Sequence, residues 1–350
     1  MKKSKKSKAI ISTVAVLVVA VLAVVGFFVY KNGESFAENS KIGFAMGSVV
    51  TVKTFGAPSG EETAQKIIDE AQKLDKILSN KDENSLVSSL NSGKDVVFDP
   101  FEASAIEAAD KIYSKTDGKA TLTVGALSRL WDFDSGKNIV PGNEDVLKAL
   151  KTVSENNFKI ENGKASLSGG AVLDLGSIGK GLACDRAVEI LNENKIENAV
   201  VAVGGSIYAK GNTAKDRKIR VGIRNPFGNE NDYFAVFSTS DAFISTSGNY
   251  EKVFEKDGKT YHHLLDCTTG YPVENELSGV TVICDNGSKS DALSTACFVL
   301  GFNEKSLSLL KENSADAIFV FKDKSVKISE RIKNDFTLTD EGFTVSEYEA

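Results

Sequence analysis

The chain has 350 residues, of which 41% are hydrophobic and 26% are charged. This composition supports one large folded domain or two small ones and excludes a disordered chain, while 29 Gly and 5 Pro exclude a collagen-like repeat. The net charge is −6, but five lysines lie within the first eight residues, so the remainder carries a net charge of −11. An acidic body without a basic stripe argues against nucleic acid as a partner.

The N-terminal segment combines a basic end with a long apolar run. Residues 9–30 carry no charge and are long enough to cross ~30 Å of hydrocarbon as a helix. The basic residues 1–8 then form a cytoplasmic tail, which sends the rest of the chain outside. A cleaved signal peptide is the alternative, since Ser35-Phe36-Ala37 is similar to a cleavage site. We expect a single-pass anchor in the cell membrane, a polar linker over 31–41 and one domain over 42–350.

The body shows helix patterns first and strand patterns later. A strand is predicted over 46–55, and the apolar face of Thr63–Leu78 predicts an amphipathic helix. Further helices are predicted near 105–113, 146–153, 178–194 and 290–300, and strands near 171–175, 199–203, 219–223, 233–238, 280–284 and 317–321. Asp257-Gly258 predicts a hairpin turn between 250–255 and 260–265. This order predicts an α+β domain rather than a regular βαβ series.

The four cysteines are dispersed and form no C-x-x-C pair. Cys184, Cys284 and Cys297 lie in apolar stretches and are predicted to be small buried side chains. Because the body is expected in an oxidising space, a disulfide among them stays open as an alternative.

A strand end, several small residues and a helix start follow one another in Asp174-Leu175-Gly176-Ser177-Ile178-Gly179-Lys180-Gly181. Free backbone N–H groups at a helix start suit a phosphate, and Lys180 adds a point charge. The Walker A spacing is absent. The pattern alone favours the structural alternative, which is a tight turn with a solvated lysine.

Both histidines of the chain lie in the segment 261–272. In a strand His262 and His263 point to opposite faces, so at most one belongs to a given site. His263 and Asp266 are three residues apart, and either is a candidate base. The alternative is a hairpin edge whose histidines are satisfied by ordinary hydrogen bonds.

Asp291 and Thr295 are four residues apart on a predicted helix, so their side chains face the same way. A carboxylate and a hydroxyl are hard oxygen ligands that suit Mg²⁺. Capping of the helix start by Asp291 is the alternative, and it is favoured when this motif is taken alone. Among weaker signals, Gly204-Gly205 allows a close approach or a bulge, residues 245–250 form a polar turn, and Trp131 is expected in the core.

The order of these motifs resembles that of the FAD:protein FMN transferase family, the ApbE-type flavin transferases. The similarity runs from about residue 42 to the C-terminus and rests on seven segments in series: 46–48, 123–131, 174–181, 204–205, 246–248, 263–272 and 291–295. Seven motifs in this order favour the functional interpretation of each segment over the structural one.

The resemblance implies an ApbE/T-fold-like domain with a mixed, largely antiparallel sheet and packed helices. It implies a Mg²⁺-dependent enzyme outside the cytoplasm that cleaves FAD and releases AMP. The FMN would be linked through its phosphate to a Thr or Ser of an acceptor flavoprotein of cell-surface electron transfer. An FAD pyrophosphatase and a non-catalytic flavin-binding protein are the alternatives.

The family motifs also imply a role for individual residues of this chain. His263 and Asp266 match residues near the transferred phosphate, and Asp291, Thr295 and the carbonyl of Ser177 match the Mg²⁺ ligands. The positions that match FAD contacts are Met46, Thr121, Asp174, Lys180 and Leu265.

Four positions depart from the family pattern. Thr121 replaces an aspartate, Cys267 replaces a proline, Asn80 or Lys81 stands where an aromatic residue is common, and Leu86 replaces a glutamate. These differences affect the predicted flavin contacts more than the predicted metal site, and they favour FAD turnover over tight storage as a hypothesis.

Overall fold

The computed structural model describes residues 38–213 and 215–349. The predicted cytoplasmic tail 1–8, the predicted membrane anchor 9–30 and the first part of the predicted linker lie outside these residues. Across the two described ranges, no helix is both long and apolar enough to span a bilayer.

The described residues form eight α-helices and nineteen strands. The helices are α1 Gly60–Leu78, α2 Leu86–Asn91, α3 Pro100–Tyr113, α4 Gly125–Trp131, α5 Asn143–Leu150, α6 Gly179–Glu193, α7 Gly287–Leu300 and α8 Glu304–Glu312. The strands are β1 Glu38–Ala45, β2 Ser48–Phe55, β3 Val96–Val97, β4 Phe158–Glu161, β5 Lys164–Leu167, β6 Ala199–Val203, β7 Ser206–Lys210, β8 Ile219–Arg224, β9 Tyr233–Thr239, β10 Asp241–Gly248, β11 Val253–Lys256, β12 Lys259–His262, β13 Leu265–Asp266, β14 Tyr271–Pro272, β15 Leu277–Cys284, β16 Asp316–Phe321, β17 Ser325–Ser329, β18 Phe336–Leu338 and β19 Thr344–Tyr348.

One mixed sheet organises the domain. Its order in the described chain is β1-β2-β6-β7-β10-β15-β16-β17-β19, and every pairing is antiparallel except β17 with β19. Helices α1, α6 and α7 pack on one face, and the three-stranded sheet β18-β9-β8 covers part of the other. Since both faces of β15 are covered, all eight of its residues are buried. The predicted α+β class with a largely antiparallel sheet is confirmed.

Helix α1 shows how the sequence pattern builds one layer of this fold. Its buried residues recur at helical spacing, and they pack on the β1–β2 hairpin and on α6. Glu61 and Glu62 lie in the first turn and Lys76 in the last, where each charge complements the helix dipole. Burial of the apolar face against the sheet stabilises the helix more than these surface charges do.

Three predicted elements differ from the structure. The strand predicted over 46–55 begins two residues later, as β2, because Met46 and Gly47 both take positive φ and turn the chain between β1 and β2. Strand β1 therefore begins at Glu38, within the segment predicted as linker to residue 41. Residues 171–175, predicted as a strand, make only one bridge between Val124 and Val172. The polar segment 245–250, predicted as a turn, lies mostly in β10, where its serines face a helix rather than solvent.

Candidate active site

The site is built where α6 crosses α7. A Cβ on Gly181 would lie 2.1 Å from the carbonyl oxygen of Gly287, and a Cβ on Gly287 would lie 2.2 Å from that of Gly181. Only glycine permits this backbone contact. The buried carboxylate of Asp185 fixes the same crossing, because it accepts hydrogen bonds from the N–H groups of Gly287 (2.6 Å) and Ser288 (2.8 Å). Burial raises the pKa of Asp185.

This crossing places Asp291, one turn into α7, against the start of α6. The Asp291 carboxylate is 5% exposed and accepts hydrogen bonds from the N–H of Gly181 (2.6 Å) and the hydroxyl of Ser206 (2.5 Å). Both donors are neutral, so they satisfy hydrogen bonding without neutralising the charge. The predicted alternative, in which Asp291 caps its own helix, is wrong, because Asn286 caps α7 through the N–H of Lys289.

Thr295 lies one turn further along α7, on the same side as Asp291. A row of hydroxyls joins this part of α7 to β10: Ser245 bonds Ser290 at 2.7 Å, Ser247 bonds Ser294 at 2.8 Å, and Ser247 contacts Thr295 at 3.3 Å. These bonds fix the rotation of α7 about its axis, and with it the direction of the Asp291 side chain.

The oxygen atoms at the crossing suit a hard cation. Asp291 offers an anionic oxygen and Thr295 a hydroxyl, and the carbonyl of Ser177 belongs to the loop two residues before α6. All three are ligand types that Mg²⁺ accepts in an octahedral site completed by water or phosphate. A buried carboxylate with only neutral donors gains from a positive charge close to it. In the described part of the chain, no three His, Cys, Asp or Glu side chains cluster as a metal site.

Met46, one of the predicted FAD contacts, lies in the β1–β2 turn beside the start of α6. Its φ is +53°, a conformation that costs a non-glycine residue on the order of 1 kcal/mol. The carboxylate of Asp75 on α1 holds the turn by accepting the Met46 N–H at 2.8 Å. The Met46 sulfur lies 3.5 Å from the position of a Cβ on Gly179, so this side chain forms one wall at the α6 N-terminus.

Lys180 lies next to the crossing, whereas the side chains of Asp174 and Thr121 meet partners in their own segments. The Lys180 side chain passes the β6–β7 turn, with its Cδ 3.3 Å from the position of a Cβ on Gly204. Asp174 accepts the N–H of Gly176 at 2.9 Å and therefore shapes the loop before α6. Thr121 is buried, and its hydroxyl bonds that of Thr123 at 3.1 Å.

The two histidines meet different partners: His262 ends β12, and His263 directly follows it. His262 is buried, and its Nε2 bonds the carbonyl of Val273 at 3.1 Å. The Nδ1 of His263 lies 2.9 Å from the carbonyl of Glu251, which can only accept, so the proton sits on Nδ1 and Nε2 keeps its lone pair. Burial is the main cause that lowers the pKa of His263 to about 4, and Lys252 and Lys180 lower it further. Nε2 is therefore an unprotonated base at neutral pH.

Asp266 is less suited to act as the base. Its Oδ1 accepts hydrogen bonds from both the N–H (2.8 Å) and the hydroxyl (2.5 Å) of Thr268. Asp266 lines a cleft of about 900 Å³ together with His262. The structure thus separates two residues that the sequence left as equal candidates.

Leu265, the last predicted FAD contact, is a buried member of an apolar cluster around Trp131. The Trp131 Nε1–H donates to the carbonyl of Gly270 at 2.8 Å and ties α4 to the turn after Asp266. Trp131 is 2% exposed, which agrees with the predicted core role. All four cysteines are buried and free, so the alternative of a disulfide is wrong.

The comparisons with known proteins agree with this architecture. The ApbE family model matches residues 46–319. An FAD:protein FMN transferase from Treponema pallidum is 32% identical over 334 residues, which is 88% of this chain and 91% of that protein. The chain belongs to the ApbE family. Because its relatives carry the name FAD:protein FMN transferase, it is an enzyme of the flavin transferase class.

Further relatives and a solved structure extend the match. An FAD:protein FMN transferase from Klebsiella pneumoniae is 30% identical over 243 residues, which is 69% of this chain and 75% of that protein. The crystal structure of the ApbE protein of Thermotoga maritima has a TM-score of 0.78 and 30% identity, and it covers 85% of this chain and 99% of that one. The ApbE fold thus spans nearly all of the described residues.

Sequence reasoning missed several residues that build this ApbE-family site. Ser206, Asp185 and Asp75 each make hydrogen bonds across long sequence separations, which no local pattern reveals.

Proposed function

We propose that the protein is a Mg²⁺-dependent FAD:protein FMN transferase that acts outside the cytoplasm. It transfers FMN from FAD to a Thr or Ser hydroxyl of an acceptor flavoprotein and releases AMP. The observation that carries the proposal is the α6–α7 crossing, which brings the buried carboxylate of Asp291 against the α6 N-terminus beside Lys180.

The charges around this crossing suit a dinucleotide diphosphate. Helix α6 has fifteen residues, and its N-terminal N–H groups and dipole favour an anion. Lys180 adds a full positive charge at the second residue of that helix. When bound to Ser177, Asp291 and Thr295, Mg²⁺ would neutralise charge that develops on the phosphate oxygens. Lys180 and the N-terminus of α6 orient the diphosphate. Their positive charge also lowers the repulsion between the diphosphate and the incoming hydroxyl.

His263 supplies the base in this proposal. The acceptor hydroxyl gives its proton to Nε2 of His263 while its oxygen bonds the FMN phosphorus. The bond from that phosphorus to the bridging oxygen breaks, and AMP leaves with the bridging oxygen. The hydrogen bond from Nδ1 to Glu251 holds the ring in the tautomer that can accept this proton.

The test is a transfer assay on the full chain with FAD, Mg²⁺ and a candidate acceptor flavoprotein. Covalent flavin is read as in-gel fluorescence, and AMP is measured in parallel. Transfer predicts both signals, and His263→Gln should lower both by about 10²–10⁴-fold, while His262→Gln, whose ring bonds the carbonyl of Val273 instead, retains them. AMP without a fluorescent band would identify an FAD pyrophosphatase instead. FAD binding with neither product would identify a flavin-binding protein.

The proposed location outside the cytoplasm rests on the sequence pattern of residues 1–30. A protease added to intact cells or spheroplasts should remove the body from the membrane fraction. Full protection of the body from that protease would contradict the proposed orientation.

A further inference from the structure

The β1–β2 hairpin carries an apolar patch that the rest of the described chain leaves open. Ile42 is 73% exposed, Phe44 is 62% exposed and Val49 is 53% exposed. Ile42 and Phe44 are two residues apart on β1 and therefore point to one face of the sheet. Val49 lies opposite Phe44 on β2, so the three side chains are neighbours on that face. Scattered apolar side chains on a surface are ordinary, but a contiguous group of large ones indicates a docking surface.

The patch lies on the face of the hairpin opposite α1. Gly43 lies between Ile42 and Phe44 and points the other way. A Cβ on Gly43 would lie 2.4 Å from the side chain of Ile68 on α1. Ala45, which shares the face of Gly43, is buried in the cluster beneath α1. Core packing therefore gives no reason for large apolar side chains on the outer face.

The patch adjoins the candidate active site through the two turns at this end of the sheet. Phe44 and Val49 stand on either side of the β1–β2 turn, whose Met46 forms one wall at the α6 N-terminus. The carbonyl of Val49 accepts the N–H of Gly204 in the β6–β7 turn at 3.0 Å. The Lys180 side chain passes that same glycine. A protein that rests on the patch therefore lies beside the rim of the site.

We propose that this patch, formed by Ile42, Phe44 and Val49, is a docking surface for the protein that accepts FMN. The inference rests on the proposed function, because it needs an acceptor whose hydroxyl enters the site. A folded acceptor is too large to enter the site as a whole, so it must rest on the rim while one hydroxyl reaches the diphosphate. The partner is then a folded flavoprotein with an apolar surface close to its acceptor Thr or Ser.

Two other occupants suit the surroundings of the patch less well. The two lysines of the hairpin, Lys41 and Lys53, are each paired with a glutamate, at 3.3 and 3.4 Å. The hairpin therefore offers little free positive charge to an anionic lipid surface. A second copy of this chain on the patch would also cover the rim of the site and exclude the protein substrate.

The test measures transfer to a candidate acceptor flavoprotein over a range of acceptor concentrations, with full chains in detergent micelles. Phe44→Thr removes the aromatic ring and keeps a residue type that favours strands. The variant should raise the KM for the acceptor about tenfold, equivalent to about 1.4 kcal/mol, and leave kcat unchanged. Its FAD affinity should equal that of the wild type. Its transfer to a synthetic peptide that carries the acceptor Thr, and is too short to reach the patch, should also be unchanged.

Val49→Thr and Val345→Thr are a matched pair of variants. The same small change is made on β2, next to one edge of the sheet, and on β19, at the other edge, and both valines are exposed. Val49→Thr should raise the KM for the acceptor about threefold, whereas Val345→Thr should leave it unchanged.

An unchanged KM in Phe44→Thr would overturn the inference. A change in KM that occurs only in phospholipid vesicles would also overturn it, because lipid would then be the occupant of the patch. A wild-type dimer in light scattering that Phe44→Thr dissociates would assign the patch to a second copy and overturn it as well. Absence of transfer by the wild type would instead refute the proposed function.

Discussion

The substitution Asp291→Asn separates the charge of this carboxylate from its hydrogen bonds. In asparagine the amide oxygen can still accept the N–H of Gly181, while the amide NH₂ donates to the hydroxyl of Ser206, which is free to rotate. The loss is then limited to the difference between charged and neutral hydrogen bonds, about 1 kcal/mol for each of two bonds. Because a buried charge is removed as well, we expect the metal-free variant to be about 0–2 kcal/mol less stable than the wild type.

Magnesium should distinguish the two proteins much more strongly. At a Mg²⁺ concentration one hundred times its dissociation constant, binding stabilises the wild type by about 2.7 kcal/mol. For a body of this size the entropy of unfolding is about 0.65 kcal/mol per kelvin, so the unfolding temperature should rise by about 4 °C. Asp291→Asn removes the anionic ligand of the proposed set, and its unfolding temperature should rise by less than about 1 °C. Scanning calorimetry with and without Mg²⁺ measures both shifts.

Asp185→Asn provides the control for this experiment. Asp185 is a second buried carboxylate at the same crossing, and each of its two oxygens accepts a hydrogen bond from a backbone N–H group. The amide NH₂ of asparagine cannot accept a hydrogen bond, so the variant loses one of these two bonds. The variant should lose about 2 kcal/mol of stability and keep the Mg²⁺-dependent shift. If Asp291→Asn kept the full shift, the assignment of the cation to this carboxylate would be wrong.

Three further predictions address the framework of the site. Gly181→Ala forces a Cβ to within 2.1 Å of the Gly287 carbonyl, so we expect a loss of about 2 kcal/mol or more in urea unfolding, with weaker Mg²⁺ binding. Burial lowers the pKa of His262 to about 4, below its value near 6.5 in the unfolded chain, so the unfolded state binds more protons between these values. Lowering the pH from 7 to 5 should therefore cost the wild type about 2 kcal/mol more than His262→Gln, and equal losses would contradict the pKa assignment. Trp131→Phe leaves the Gly270 carbonyl without its buried donor, which should lower the free energy of unfolding by about 2 kcal/mol. An unchanged urea midpoint would show that this hydrogen bond does not stabilise the fold.

The fold was predictable wherever buried apolar residues recur at the regular spacing of a helix or a strand. Helix α1 was predicted within three residues of its start, because its apolar residues recur at helical spacing against the sheet. The strand β1 was missed since its outward side chains are exposed and its N-terminal residues are polar, so its pairing with β2 decides its structure. The serines of β10 were interpreted as a turn because they are polar. Their hydrogen-bond partners on α7 lie more than forty residues away in sequence, so no local pattern shows that they are buried.

The same distinction holds for the candidate site. Motif order predicted Asp291, Thr295 and Lys180 as members of one family site, and the crossing of α6 and α7 explains why they share one region. The choice between His263 and Asp266 required three-dimensional information, because it depends on which acceptor each side chain meets.

The hydrogen bond between Gly181 and Asp291 joins residues 110 positions apart in the chain. Closing so long a loop costs entropy, which the strands and helices in between must offset. No fragment that ends before α7 contains both sides of the crossing. If the chain is exported in extended form, as proposed, the proposed ligands of the cation come together only in the compartment where folding is completed.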